Sequence, residues 1–251
     1  MMTQDIAANF DAETRTIATN PFLRHLWAQA WGDLYPMEAE PLSTTSWVTL
    51  GQLVAALRMS PDQVLVDLGC GRAGPSLWLA RAFGARLIGI DHSPAFVRMA
   101  SAWADQWLPE GKAEFHVGTL TETGLPDASV DALFSNAVAL GQDVDAALAE
   151  ISRIVRHGGR VAFSHNEDRD RSEADQWRER LTEAGMVFEA RYQMDEANDG
   201  MRRLAGLIKA NQDRLVAELG ETAAGYVLND ADTYEPLLDN ICWALVVAHR
   251  A

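Results

Sequence analysis

Lysine is almost missing from this chain: of 251 residues only Lys112 and Lys209 are lysines, and 21 basic side chains stand against 36 acidic ones for a formal net charge of −15. Neutralising a phosphate backbone takes clustered Lys and Arg, so the deficit argues against a nucleic-acid partner. Cysteine is equally scarce. Cys70 and Cys242 are too few and too far apart for a disulfide framework or a thiolate metal site, and both read as free thiols, Cys242 as buried strand filler. No apolar run approaches the length of a membrane span. The opening MMTQDIAANFDAE lacks the basic start and apolar stretch of a signal peptide, so the expected setting is the cytoplasm, without a membrane partner. There is no internal repeat, low-complexity tract or Pro/Gly linker. What remains is an ordinary soluble domain in composition, 48% hydrophobic, with about a quarter of its length beyond what a doubly wound core needs.

The order of elements supplies the organisation. Val64–Leu68 is an apolar run broken by one acid, as expected of a parallel strand buried on both faces. A glycine-rich turn follows, then a helix from Ser76 to Phe83 and a second buried strand, Arg86–Asp91. Ser93-Pro94 is a helix start, with a capping serine and proline at the first helical position. Phe96, Ala100, Trp103 and Trp107 form that helix's apolar face and are expected in the core. Strands at Ala113–Val117, Val130–Ser135 and Arg160–His165 continue the pattern, with a periodic helix from Val144 to Val155 closed by His157-Gly158-Gly159. Beyond lie a helix over 172–185, a strand over 187–193, helical periodicity over 197–219 and a last strand, Cys242–Ala248. Alternation on this scale predicts an α/β fold: a doubly wound, mostly parallel seven-stranded sheet of the Rossmann-like kind. Residues 1–60 are expected to form an N-terminal helical cap, 61–194 and 241–251 the core, and 195–240 a helical lid insertion that interrupts a normally tight connection.

Gly69-Cys70-Gly71-Arg72-Ala73-Gly74 matches G-x-G-x-x-G between strand and helix, and Asp91 lies 17 residues past the last glycine. This is a dinucleotide fingerprint on its face. Asp67, however, stands two residues before the first glycine, where its charge opposes a pyrophosphate and favours a cationic amino acid moiety. S-adenosylmethionine, which has an ammonium, a ribose and an adenine but no phosphate, fits better. Asp67 would complement the ammonium, the glycines would let backbone approach the methionine portion, and Asp91 would accept from both ribose hydroxyls.

With these residues in view, the chain resembles the class I S-adenosylmethionine-dependent methyltransferases, specifically the bacterial small-molecule branch. Val64–Ala80 resembles that family's first motif, Gly84–Pro94 its second, Gly124–Asp131 the approach to its fourth strand, and Glu150–Arg160 its Glu-x-x-Arg-Val-Leu-x-Pro-Gly-Gly stretch, with His157 where proline is usual. The resemblance covers residues 45–165 and speaks to cofactor rather than acceptor. It implies backbone contacts to S-adenosylmethionine at Gly69 and Gly71 and ribose recognition by Asp91, with His92 and Ser93 beside it. Thr119 stands where many members place an adenine-binding aspartate, leaving adenine to the Leu120 backbone and a hydroxyl. Asn136 falls near the methyl group. Tyr35 and the run Ser43-Thr44-Thr45-Ser46 resemble positions that hold the cofactor carboxylate, although such a run is also an ordinary helix cap.

His165, ending the fifth strand, is the candidate general base, its alternative being a turn histidine held by backbone. His116, His157 and His25 read as structural. Trp27 and Trp31 on an N-terminal helix, with Met194, Met201 and Arg202 near the start of the insertion, are the candidate acceptor contacts. The rest of the insertion's apolar stripe is expected to pack on the domain or a second subunit, leaving room for a homodimer. The charged run Glu167–Glu173 reads as a solvated loop rather than a metal site. The expected partner is a small-molecule acceptor methylated on O, N or C, against the alternatives of a cyclase-like scaffold that binds the same cofactor without methyl transfer and of a nicotinamide-dependent oxidoreductase. Ser135-Asn-Ala-Val138, in place of an Asn-Pro-Pro-Tyr-like motif, further disfavours nucleic-acid methylation.

Overall fold

The protein is described from a computed structural model covering residues 13–136, 143–169 and 173–251. Residues 13–19 are helical, followed by α1 (Pro21–Trp31), α2 (Trp47–Leu57), β1 (Val64–Leu68), α3 (Gly74–Phe83), β2 (Arg86–Asp91), α4 (Pro94–Ala104), β3 (Ala113–Val117) and β4 (Val130–Ser135). The second half comprises α5 (Val144–Ile154), β5 (Val155–Asp168), α6 (Ala174–Glu183), β6 (Met186–Gln193), α7 (Asp195–Ala210), α8 (Gln212–Leu219), α9 (Glu221–Tyr234) and β7 (Ile241–Arg250). The strands form one sheet in the order β3-β2-β1-β4-β5-β7-β6. β1 to β5 run parallel, whereas β7 is antiparallel to both neighbours. The sheet is thus mostly parallel and seven-stranded, as the element order predicts.

Two apolar layers sandwich the sheet. Leu53, Leu65, Leu77, Leu87 and Leu245 belong to one, and Val66, Leu133, Ile151, Phe163 and Trp177 to the other. Leu65 and Val66, adjacent on β1, fall on opposite sides, as the twofold alternation of a strand requires. A third core lies off the sheet: Phe22, Leu26 and Trp31 of α1 pack with Leu204 and Ile208 of α7, Leu215 of α8 and Val227 of α9. The N-terminal helix and the 195–240 segment therefore share one apolar interior of their own.

Several boundaries differ from expectation. α5 ends at Ile154, and His157-Gly158-Gly159 does not cap it but bulges within β5, where Val155 pairs with Val130 and Arg160 with Ala132. Gly158 has φ +71. The periodic stretch over 197–219 breaks at Asn211, and α9 is an additional helix. α4 stops before Trp107, and Phe96 is only partly buried. Glu167, expected in a solvated loop, is buried and paired with Arg191 at 2.7 Å; residues 170–172 of that run lie outside the described residues, as do 137 and 138 of the Ser-Asn-Ala-Val stretch. Cys242 is buried on β7 and Cys70 beside the glycine loop, both as free thiols. Among the described residues no helix is long and apolar enough to cross a membrane and no cluster of His, Cys, Asp and Glu could hold a metal ion.

α7 meets α1 at Gly200, where an added Cβ would fall 2.5 Å from the Trp31 ring. Gly200→Ala should therefore push these helices apart and cost about 1–3 kcal/mol, read as a lowered midpoint of thermal unfolding; an unchanged or raised midpoint would contradict this packing.

Candidate functional site

The glycine loop sits at the carboxyl edge of the sheet, between β1 and α3, and β2 holds it there. Gly69 and Cys70 both donate their backbone N–H to the Ile90 carbonyl, at 2.7 and 3.0 Å. The Asp91 carboxylate accepts from Gly71 N at 2.8 Å and from Ser93 N at 2.9 Å. One acid therefore shapes the loop on one side and starts α4 on the other. Gly69 and Gly71 have φ of +83 and +51, a left-handed backbone open to glycine without steric cost. Gly74 serves a different need: a Cβ there would lie 1.8 Å from the Ala39 carbonyl oxygen, so its missing side chain admits the N-terminal segment.

That segment forms a roof. Tyr35 is buried and donates its hydroxyl to the Pro41 carbonyl at 3.0 Å; burial, reinforced by Glu40, raises the pKa of its phenol well above the ordinary range. Glu40 accepts from Arg24 and from Arg72 of the glycine loop. Arg72 also donates to the Ala18 carbonyl at 2.7 Å and lies over the Trp103 ring. The Ser/Thr run divides between a helix cap and a hydrogen-bond chain. Ser46 caps α2 through Thr49 N and bonds Glu196. Ser43 and Thr45 instead form a chain to Asn136, with Thr45 Oγ1 accepting from Asn136 Nδ2 at 2.6 Å.

Beneath this roof is a chamber of about 250 Å³, lined by Asp67, Gly69, Gly71, Asp91, Phe134 and Asn136 from the sheet edge and by Glu40, Ser43 and Thr45 from above. Asp67 is buried, and burial pushes its carboxyl up to about 7, partly opposed by the Ser76 hydroxyl and aided by the charge of Asp91. Asn136 Oδ1 is buried with no hydrogen-bond partner among the described residues. The chamber thus offers a buried acid lacking a cationic partner and an unused acceptor, which fit a ligand bearing an ammonium group and further donors.

A larger cavity of about 520 Å³ adjoins it, and Leu42, Ser43 and Phe96 line both. Trp27, Met201, Leu204, Ile208 and Trp243 give it apolar walls, and Tyr226, Asp230 and Tyr234 of α9 face it. Thr44, between the two chamber-lining residues Ser43 and Thr45, lines this cavity.

The structure gathers some of the residues singled out from sequence and separates others. Asp67, Gly69, Gly71, Asp91 and Asn136 come together in the smaller chamber, and Trp27 and Met201 in the larger. Trp31 backs the larger cavity by stacking on Trp27 at 5.1 Å. His165 is turned away: its ring packs edge-on against Trp177 of α6 at 4.9 Å and lies 3.6 Å from Glu173, on the opposite face of the sheet from Trp243. Strand alternation places it with Phe163, and burial lowers its pKa. Met194 is fully buried in the sheet core, its N–H bonded to the Trp243 carbonyl, and Arg202 pairs with Asp239; neither lines a cavity. His92 and Thr119 are exposed, Leu120 packs against the second core layer, and Tyr35 and Ser46 hold the roof without facing the chamber.

Phe96, Trp243 and the α9 face were missed. Trp243 opens β7, whose antiparallel course brings its first residues to the edge where the parallel strands end. Tyr226, Asp230 and Tyr234 recur every four residues, a helical face legible in the sequence.

Residues 66–163 match the methyltransferase domain family. A geranyl diphosphate 2-C-methyltransferase of Saccharopolyspora erythraea is 32% identical over 102 residues, 41% of this chain and 36% of that protein. The chain spans 36% to 59% of the length of the first curated relatives it matches. Among solved structures, a (4+2) cyclase superposes with a TM-score of 0.70 at 21% identity, covering 80% of this chain and 79% of the other. A Haemonchus contortus phosphoethanolamine N-methyltransferase 2, solved in complex with S-adenosyl-L-methionine, gives 0.69 at 17% identity, over 90% and 56%. These structures share the fold.

Arg72 carries the roof's attachment to the glycine loop. Arg72→Ala should cost about 1.5–3 kcal/mol of local stability and raise amide hydrogen exchange across residues 18–45 at least tenfold, by mass spectrometry, while exchange in β1, β4 and β5 stays unchanged. Equal protection of this segment in both proteins would refute the latch.

Proposed function

The chain carries a methyltransferase domain of the class I fold over residues 66–163, and from that premise we propose that it moves the methyl group of S-adenosylmethionine to a small-molecule acceptor. The observation that carries the reading is the pairing of chambers: one with a buried, uncompensated Asp67 and the two glycines, the other larger and apolar, sharing the wall of Leu42, Ser43 and Phe96. In this proposal the described part of residues 1–60 serves as the cap and 195–240 as the lid over a core of 61–194 and 241–251. The similarity to relatives acting on geranyl diphosphate, and to a fold neighbour acting on phosphoethanolamine, supports a small-molecule acceptor. The acidic composition supports the same and speaks against nucleic acid. Cytoplasmic residence and a homodimer are parts of this proposal too, the latter open to light scattering.

In this reading Asp67 holds the ammonium and Asp91 the ribose hydroxyls. Each Asp91 oxygen keeps lone-pair capacity after accepting one backbone N–H, so ribose can bind without releasing Gly71 or Ser93. Asn136 Oδ1 supplies a further acceptor; His92 is assigned beside the ribose and Thr119 and Leu120 to the adenine side, although none of the three lines the chamber. The cofactor supplies an activated methyl group on a sulfonium. The protein's part is alignment and exclusion of water: the roof closes the smaller chamber, and the apolar walls of the larger one hold the acceptor against their common boundary. A base is needed only where the acceptor must lose a proton. Because His165 faces α6, any such role falls to groups that face the larger cavity.

Calorimetric titration with S-adenosylhomocysteine should show binding, and incubation with labelled S-adenosylmethionine and candidate acceptors should yield a labelled product. Binding without any labelled product would favour the scaffold reading; no binding by folded protein would end both. Asp67 adds a pH signature. Its folded pKa is raised to about 7, so the free protein must lose a proton there before the carboxylate can pair with the ammonium. Affinity should climb about ten- to thirtyfold from pH 5.5 to 7.5 and then level off, and Asp67→Asn should bind more weakly with the slope removed. The same shift lowers the unliganded protein's stability as pH rises from the ordinary aspartate range to about 7, because there only the folded state keeps the proton. A flat affinity profile in the unaltered protein would sink the Asp67 assignment.

A further inference from the structure

Resting on the reading just given, we infer that the acceptor is an uncharged, largely apolar hydroxyl compound, its oxygen hydrogen-bonded by Thr44 and Trp243 inside the larger cavity. Two observations of different kinds converge on this.

The first is unspent hydrogen-bonding capacity. Thr44 is 2% and Trp243 7% exposed, and both line the cavity. Neither Thr44 Oγ1 nor Trp243 Nε1 has a hydrogen-bond partner among the described residues. Buried polar atoms are nearly always paired, and leaving one unpaired forfeits its hydration without return. Of the other unpaired buried atoms, Asn136 Oδ1 belongs to the smaller chamber, whereas Trp177 Nε1 and Gln52 Oε1 belong to side chains that line neither cavity. An indole N–H only donates, whereas a threonine hydroxyl donates and accepts. The group that serves both is one that accepts from Trp243 and exchanges a hydrogen bond with Thr44, which a hydroxyl does and a thioether or hydrocarbon does not.

The second is charge. Among the described lining residues the ionisable acids are Glu13 and Asp230, and there is no Lys, Arg or His. A carboxylate or phosphate entering the cavity would lose its water and gain no counter-charge, with acids facing it. The cavity's apolar walls accept a ring system or a short hydrocarbon body. Thr44 also stands beside Ser43 of the wall common to both chambers, so an oxygen bound there lies on the donor side of the cavity.

The test uses matched probes on the full chain saturated with S-adenosylhomocysteine: 2-naphthol, 2-methylnaphthalene, which lacks the oxygen, and 2-naphthoate, which carries the charge. Calorimetry should rank 2-naphthol about tenfold tighter than 2-methylnaphthalene and place 2-naphthoate weaker than both. Thr44→Val should bring 2-naphthol to within threefold of 2-methylnaphthalene while the hydrocarbon's affinity holds. Trp243→Phe should do the same, and it decides the matter if the first variant fails to fold. The inference is overturned if 2-naphthoate binds as well as 2-naphthol, if both variants keep the full preference, or if none of the three binds. A separate titration with S-adenosylhomocysteine alone keeps the outcomes apart: failure there removes the proposed function, and the ranking repeated on unliganded protein still decides the acceptor class.

Discussion

The carboxylate of Asp91 is the constraint on which the carboxyl edge depends. A strand can end in many ways, but here its last side chain bonds the backbone of two separate segments, the glycine loop at Gly71 and the start of α4 at Ser93. Fixing the loop brings Gly74 to where the Ala39 carbonyl can approach it, and only a residue without Cβ allows that approach. Fixing the start of α4 places Phe96 on the wall common to both cavities. Two chambers, a roof and a shared partition thus follow from one acid with two oxygens, each already committed to a backbone donor and each with capacity left.

The second dependence is between segments remote in sequence. α1 and the helices of 195–240 form a core with each other rather than with the sheet. Their coupling to the sheet combines the packing of Ala197 in the sheet core with a few polar bonds. Buried Asn198 bridges α7 to β7, accepting from Trp243 N and donating to the Ile241 carbonyl, and Arg72 ties the glycine loop to Ala18 and Glu40. Such an apolar unit keeps its own shape more readily than its polar attachment does, because apolar packing is short-ranged and tolerates no gap, whereas a hydrogen bond can be exchanged for water at small net cost. The larger cavity lies in this second unit and against β7, so its volume depends on that attachment.

How much of this was legible in the sequence depended on whether the signal was local. β1 with its glycine loop, Asp91 at the end of β2 and the capping Ser93 are set by residues within a few positions of each other, and the structure places them as the pattern implies. The sheet followed from alternation alone. His165 shows where local reasoning stops: the carboxyl end of a strand is the right height for a ligand, but β5 runs on to Asp168, and the parity of its alternation, fixed by burying Val161 and Phe163 against α5 and α6, turns His165 to the far face. The His157-Gly158-Gly159 stop was misplaced for a related reason, since a left-handed glycine serves a strand bulge as readily as a helix end. Trp243 could be placed only once β7 was known to run antiparallel, a property of the whole sheet.

The acidity of the chain divides into two kinds of charge with opposite physics. Most carboxylates lie outside, where water screens them and each costs little. Asp67 is inside, where burial holds it partly protonated and makes its ionisation expensive until a cation arrives. In the proposed reading that expense is what would couple it to a ligand: an acid already paired within the protein would gain little from an ammonium, and an exposed one would gain little because water had already stabilised it. Thr44 and Trp243 follow the same reasoning without charge, since a polar atom that the fold buries and leaves unpaired discriminates strongly between a molecule that can pair with it and one that cannot. On the proposed reading the two cavities would select by the same means, an unmet polar group in a buried wall, and differ in whether what is unmet is a charge or a hydrogen bond.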